Sequence, residues 1–242
     1  MSLRIAMWSG PRNISTAMMR AWENRQDCTV WDEPLYGPYL HMSGIDHPGK
    51  AEIIADQGSD WRPIVEACIT SAPEDAPVFY QKQMTHHLLD AMDWDWLGQL
   101  HNIFLIRNPE EVLASYRRVR ATATLDDLGI VQQARIYDHV VGMQGEPMVL
   151  DAKDVLMNPE GALRTVCAAL GINFDPNMLS WPAGKRASDG IWGPYWYDNV
   201  WQSTGFEEYR PRNVTTPPEY REVMDVCMAH YERLRGLRLD AS

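Results

Sequence analysis

Three stretches of this 242-residue sequence carry residue types that chemistry needs. The first is Ser9-Gly10-Pro11-Arg12-Asn13-Ile14-Ser15-Thr16, set between a strand-like run and a helical pattern. A turn in that position aims backbone N–H groups and the positive end of a helix at an anion. Ser15 and Thr16 add hydroxyl donors, and Arg12 adds a fixed charge. The same residues would also make an ordinary strand-to-helix turn with a serine cap. They do not form the G-x-x-x-x-G-K-[ST] loop of nucleotide triphosphatases, because the second Gly and the Lys are missing. The second stretch is Phe104-Leu105-Ile106-Arg107-Asn108-Pro109, with Ser115 eight residues beyond Arg107. The third is Lys82 with the pair His86-His87, placed just past a strand-like run. Glu33, after another such run, competes with the two histidines as a proton acceptor.

The elements that must position these residues follow one rhythm: a short apolar run, a turn, then a helical pattern. Leu3 to Trp8, Cys28 to Trp31, Val78 to Tyr80, Asn102 to Ile106 and Pro147 to Leu150 read as five strands. Helices are expected from about Ser15 to Asn24, near His86 to Leu97, after Arg107, after Leu150 and near Pro218 to Leu234. Asn108-Pro109-Glu110-Glu111 and Asn158-Pro159-Glu160 each offer an Asn cap with Pro at the first helical position. Val112, Leu113, Tyr116 and Val119 follow the first at helical spacing; Leu163, Val166, Cys167 and Leu170 follow the second, with Gly171 as the stop. The last helix presents Tyr220, Val223, Met224, Cys227, Tyr231 and Leu234 as its buried stripe. Ile191 to Phe206, rich in aromatics, Gly and Pro, reads as a long loop or lid. Such alternation predicts an α/β fold of three layers, a mostly parallel central sheet flanked by helices, in one domain over residues 1–242. Ligands of these folds bind beyond the carboxyl ends of the strands.

Composition narrows the function. Hydrophobic residues make up 45% and charged residues 23%, values of a globular chain. The 22 basic and 33 acidic residues leave a formal charge of −11, which disfavours broad binding to nucleic acid or an anionic membrane. An anionic ligand must therefore be held by a local cluster against the global field. Cys28, Cys68, Cys167 and Cys227 are far apart, as expected of reduced thiols in a cytoplasmic protein. The histidines lack H-x-x-x-H spacing, and no metal site is expected. Met1-Ser2-Leu3-Arg4 leads straight into a strand without a signal-peptide core, and no apolar run reaches the roughly 20 residues of a membrane helix.

Arg107-Asn108-Pro109 with Ser115 resembles the 3'-phosphate-binding motif with which sulfotransferases grip 3'-phosphoadenosine 5'-phosphosulfate (PAPS). Pro11-Arg12-x-x-Ser15-Thr16 is similar to the 5'-phosphosulfate loop of that family, with Ile14 in place of the usual Gly. The same loop, continued by Met19 and Arg20-Ala21, resembles that of tyrosylprotein-type members, whose catalytic glutamate falls at Glu33. Asp151 to Gly171 resembles the family's strand, D-P-E helix and L-G ending. Lys185-Arg186-Ala187-Ser188-Asp189-Gly190-Ile191-Trp192 is a looser match to the C-terminal R-K-G-x-x-G-D-W segment.

The resemblance implies a P-loop-type sulfotransferase passing a sulfuryl group from PAPS to a hydroxyl or amine acceptor. Gly10 to Thr16 would hold the 5'-phosphosulfate, Arg107 and Ser115 the 3'-phosphate, and Lys185 and Arg186 would also face the cofactor. Lys82 would stabilise the leaving phosphate. Glu33, His86 or His87 would take the acceptor proton, Met84 occupying the position of the cytosolic members' histidine. Arg117, Arg118 and Arg120 either extend the phosphate site or form a solvated helix face. The segment from Trp192 to Trp201 either lines an acceptor site or packs as a lid. A transferring sulfuryl group carries less charge than a phosphoryl group, and arginines with backbone donors can serve it without metal. A small-molecule kinase requires Mg²⁺ held by a strand-end Asp beside a Lys-Ser/Thr loop, and Val149-Leu150-Asp151 is the one candidate strand end for it. A kinase and a non-catalytic nucleotide-binding module of the same fold are the competing readings.

Overall fold

A computed structural model describes residues 2–240, apart from 71, 73–75, 119, 121 and 212–213. Met1 and Val119, named above, lie outside the described residues. Five strands, β1 (Leu3–Ser9), β2 (Cys28–Asp32), β3 (Val78–Met84), β4 (His101–Ile106) and β5 (Met148–Asp151), form one sheet in the order β2-β3-β1-β4-β5. Every pairing is parallel. Between them run α1 (Ser15–Glu23), α2 (Tyr36–Ser43), α3 (Lys50–Gln57), α4 (Trp61–Thr70), α5 (Pro109–Tyr116), α6 (Leu125–Leu128) and α7 (Ile130–Gln144). After β5 come α8 (Ala152–Met157), α9 (Pro159–Ala169), the short α10 (Gly193–Trp196) and α11 (Asp198–Gln202), and α12 (Arg221–Gly236).

Alternation along the strands builds the layers, because successive side chains leave opposite faces of the sheet. Ile5, Met7, Tyr80, Ile103 and Leu105 pack with Met18, Met19 and Trp22 of α1 and with Leu163 and Val166 of α9. Ala6, Trp8, Phe104, Ile106 and Val149 pack on the other face with residues of α4, α5, α7 and α12. Both faces are covered, so the strands read as apolar runs. The expected α/β architecture with a parallel sheet is present. The Asn caps also behave as expected, Asn108 accepting from Glu110 N at 2.8 Å and Asn158 from Gly161 N at 3.0 Å.

Three local expectations fail. β3 continues to Met84, so Lys82 lies inside the strand, paired with Asp32, and not past it. The buried amides of Gln81 and Gln83 hid this; Gln81 donates to Cys68 O and Gln83 to the Gln81 side chain. The expected helix over His86 to Leu97 is instead two 3₁₀ turns, Thr85–His87 and Asp95–Gln99. Leu88 is extended between them, and the Asp93 side chain takes the N–H of Asp95. The expected loop from Ile191 to Phe206 contains α10 and α11, Pro194 being tolerated in a first helical turn.

The connection after β1 crosses to β2, while β4 returns to the other side of β1. A crevice opens at such a reversal, beyond the carboxyl ends of the central strands. The phosphate-type loop after β1 and the Arg107 segment after β4 both emerge there.

Candidate active site

A cleft of about 1360 Å³ occupies that crevice. Typical sites for one small ligand run ~300–1,000 Å³, so this cleft has room for two ligands. Pro11 to Thr16, Glu33, Lys82, His86, His87, Arg107 and Ser115 all line it.

The loop after β1 is bent by Arg12, which takes a left-handed φ of 55°. A non-glycine residue holds such a backbone only where its surroundings compel it. The constraint comes from β4 and α5, far away in sequence. Arg12 Nε donates to Ser115 Oγ at 3.1 Å, Arg107 Nη1 donates to the Arg12 carbonyl at 3.2 Å, and Asn13 Nδ2 donates to Leu105 O at 2.8 Å. No side chain caps α1, whose N-cap residue is Ile14, so first-turn N–H groups remain for a ligand. Burial, then the charges of Arg107 and Arg118, pull the Arg12 guanidinium below its ordinary value. That is the electrostatics of a cation cluster short of an anion. Glu111 offsets part of it, its Oε2 accepting from Arg107 Nε at 3.1 Å and Nη2 at 3.0 Å while Oε1 accepts from Tyr209 at 2.9 Å.

Gly10 has a different task from the one expected. It does not line the cleft, and an added Cβ would meet the Leu128 carbonyl at 2.9 Å. Its lack of a side chain lets the turn before α7 press against the loop from behind. Lys185 and Arg186 also stand apart from the cleft lining. Lys185 lies over the Trp201 ring, and Arg186 reaches Glu23 at 3.6 Å, because Asp189 and Ser188 dock that segment onto α1 through Arg20 and Glu23. Arg120 lines the cleft, whereas Arg117 stacks on Tyr220.

Glu33 sits where β2 ends, with a left-handed φ of 41° that turns its carboxylate toward β3. Lys82, only 1% exposed, donates to Asp32 Oδ1 at 2.9 Å, to Tyr197 Oη at 2.7 Å and to Glu33 Oε1. An ammonium has three N–H bonds, and all three are taken. The leaving-phosphate role expected of Lys82 therefore finds no free donor; the lysine holds Glu33 instead. Burial acts to lower the Lys82 ammonium, but Asp32 and Glu33 outweigh it and the net direction is up. Burial pushes the Glu33 carboxyl above its ordinary value, against the pull of Lys82.

His87 Nδ1 lies 3.9 Å from Glu33 Oε2. Its ring is stacked between Tyr36 and Tyr39, with centroids at 4.5 and 4.8 Å. His86 meets Tyr39 and His87 edge-on. Burial, then the neighbouring His47, lowers His86 to about 4, and burial with His86 takes His87 well below its ordinary value. Both imidazoles are neutral at pH 7. Asp151 faces inward, capping α8 through Lys153 N and accepting from Tyr231, and among the described residues no group of three or more His, Cys, Asp or Glu could hold a metal. No helix among them is long and apolar enough to cross a membrane.

Residues 3–236 match the sulfotransferase domain. The chain belongs to the sulfotransferase domain family. Two proteins of Arabidopsis thaliana, branched-chain-amino-acid aminotransferase-like proteins 2 and 1, are 31% and 32% identical to it over 96% of its length. The chain spans only 41% of each of these curated relatives. Among solved structures, the sulfotransferase domain from the curacin biosynthetic pathway superposes with a TM-score of 0.61 at 16% identity, covering 96% of this chain and 98% of that one. The sulfotransferase domain of the Synechococcus PCC 7002 olefin synthase gives 0.62 at 15%, covering 94% of each chain. A sulfotransferase from Alicyclobacillus acidocaldarius gives 0.56 at 12%, covering 99% and 98%. These share the fold.

The sequence reading did not single out Asp32, Tyr36, Tyr39, Glu111 or Tyr209 for the site, and it took Tyr197 only as part of the aromatic segment from Trp192 to Trp201. Asp32 left a signal, standing beside Glu33 at a strand end, and so did Glu111, four residues past Arg107. Tyr197 and Tyr209 reach the site through contacts between distant segments, as between Tyr197 and Asp32, 165 residues apart, and between Tyr209 and Glu111.

Proposed function

We propose that this sulfotransferase-family protein uses PAPS to sulfate a hydroxyl or amine acceptor by in-line displacement. The observation that carries the reading is the convergence of Arg12, Ser115 and Arg107 beside the uncapped first turn of α1. A cation cluster and free backbone donors at one end of a two-ligand cleft suit a nucleotide with phosphates at both its 3' and 5' positions. The residues present fit that group. When bound, PAPS supplies an activated sulfuryl group with a nucleotide phosphate as its leaving group.

Ser15, Thr16 and the first-turn N–H groups would hold the 5'-phosphosulfate, with Arg12 beside them. Arg107 and Ser115 would hold the 3'-phosphate. Glu33 would accept the acceptor's proton through Oε2, since Lys82 occupies Oε1. A carboxyl raised by burial is better matched to that task than a solvated one. Neutral His87, next to Oε2, is the other base within the same arm of the cleft.

Calorimetry with 3'-phosphoadenosine 5'-phosphate (PAP) in EDTA, followed by transfer from radiolabelled PAPS to panels of alcohols, phenols and amines, tests the proposal. PAP binding in EDTA and label transfer are expected. Stabilisation by ATP only with Mg²⁺, and none by PAP, would replace the reading with a kinase. PAP binding without transfer to any acceptor would favour a non-catalytic module.

A further inference from the structure

The phenol of Tyr197 stands at the centre of the buried polar cluster under the aromatic segment. It accepts from Trp192 Nε1 at 3.0 Å and from Lys82 Nζ at 2.7 Å. Its own proton has one destination. Asp32 Oδ2 lies at 2.7 Å and Oδ1 at 2.9 Å, against 3.3 Å to Glu33 Oε1, so Asp32 receives it. Asp32 also accepts Gly190 N at 3.1 Å, which anchors the segment leading to α10. Asp32 and Glu33 thus compete for one ammonium, and the Tyr197 hydroxyl satisfies Asp32 enough to leave Lys82 shared between them.

The groups facing Glu33 from each packed element are few. Asp32 comes from its own strand, Lys82 from β3, Tyr36 from α2, His87 from the first 3₁₀ turn, and Tyr197 from the end of α10. Gln57 of α3 meets Glu33 at its backbone carbonyl and not at its carboxylate.

We infer that Tyr197 is a positioning residue for Glu33: its phenol, pinned by Asp32 and Trp192, clamps the Lys82 ammonium onto one oxygen of that carboxylate and leaves the other on the His87 side. The inference deepens the reading of Glu33 as proton acceptor and rests on it for its catalytic meaning. Its physical content stands in the ligand-free protein. Removing the hydroxyl deprives Asp32 of a donor, so Asp32 draws Lys82 toward itself and Glu33 loses its counter-charge. Removing the Asp32 charge does the opposite and gives Lys82 to Glu33.

The two changes therefore shift the Glu33 titration in opposite directions, which a general loosening of the fold would not do. The experiment labels the intact, ligand-free chain with δ-carbon-labelled glutamate and follows the Glu33 carboxyl by NMR against pH. The resonance is assigned by its loss in Glu33→Gln. Tyr197→Phe is expected to raise the midpoint by about one pH unit, the lower range for a displaced counter-charge, and Asp32→Asn to lower it. Trp192→Phe, which removes the N–H donor to the phenol together with part of a buried ring, is expected to give a smaller rise and carries the test if Tyr197→Phe does not fold. Midpoints that stay put, or that move in the same direction in Tyr197→Phe and Asp32→Asn, overturn the inference. Failure of label transfer with the opposed shifts intact would instead remove the proposed function and leave the clamp standing.

Discussion

Replacing Arg107 by alanine separates two losses that the structure allows to be told apart. Arg107 is joined to Glu111 by two hydrogen bonds to one oxygen and holds the Arg12 carbonyl with a third. In the proposed complex it also meets the 3'-phosphate, a charge-assisted contact worth about 1.5–3 kcal/mol. That corresponds to a Kd for PAP weakened by about 10- to 150-fold. Adenosine 5'-phosphate lacks the 3'-phosphate, so its Kd should weaken far less. The same change leaves the Glu111 carboxylate, only 8% exposed, without its cation. Stripping one partner from a buried pair costs about 3–5 kcal/mol, and the partial exposure here puts the expected loss near the lower end. Arg107→Ala combined with Glu111→Gln should then recover most of the stability and none of the PAP affinity. Calorimetry with both nucleotides and urea unfolding of both variants supply the measurements. Equal weakening for the two nucleotides would refute the 3'-phosphate assignment, and recovery of PAP affinity in the double variant would show that the loss was only structural.

Arg12→Gly should relieve the left-handed backbone by about 1–3 kcal/mol, which offsets the lost Ser115 hydrogen bond and the freer unfolded chain, so an almost unchanged melting temperature with poorer PAP binding is expected from thermal shift and calorimetry. Glu33→Gln should slow label transfer by about 10²–10⁴-fold with PAP affinity nearly unchanged, and the wild-type rate should fall with decreasing pH above the range of a solvated carboxylate; transfer that survives this change and is abolished in His86→Ala or His87→Ala would move the base to a histidine. His86 takes up its proton near 6.5 when unfolded but only near about 4 when folded, so stability should be lost as pH falls through that window, and His86→Phe should show a smaller drop in urea midpoint between about pH 7 and about pH 5.

The sheet was legible because a parallel strand buried on both faces must be apolar, and Ile5 to Trp8 and Ile103 to Ile106 are. The cation cluster was legible for a related reason: Arg107 and Ser115 sit at fixed spacing on one strand end and one helix, so local geometry nearly decides where they go. β3 was only half legible, since Gln81 and Gln83 are buried with their amides paired and break the apolar pattern without leaving the sheet. Around Lys82, Glu33 and the aromatic segment were legible as separate members but not as one cluster. Its partners come from strand ends and from a segment more than a hundred residues away, and no periodicity records a hydrogen bond between distant segments. The sequence marks Lys82 by its place near the carboxyl end of a strand, but what it touches comes from the tertiary structure.

The arginines at the cleft lie in a molecule whose formal charge is −11, and this shapes the approach of a polyanionic nucleotide as well as its capture. At low ionic strength the Debye length is ~30 Å, and an incoming anion senses the whole acidic surface before it senses Arg12, Arg107 and Arg120. Near physiological salt the Debye length contracts to ~8 Å; the distant carboxylates fade while guanidinium groups inside a low-dielectric cleft still act at contact range. Association of such a nucleotide should therefore quicken as salt is first added, opposite to the slowing typical of a basic protein meeting an anion.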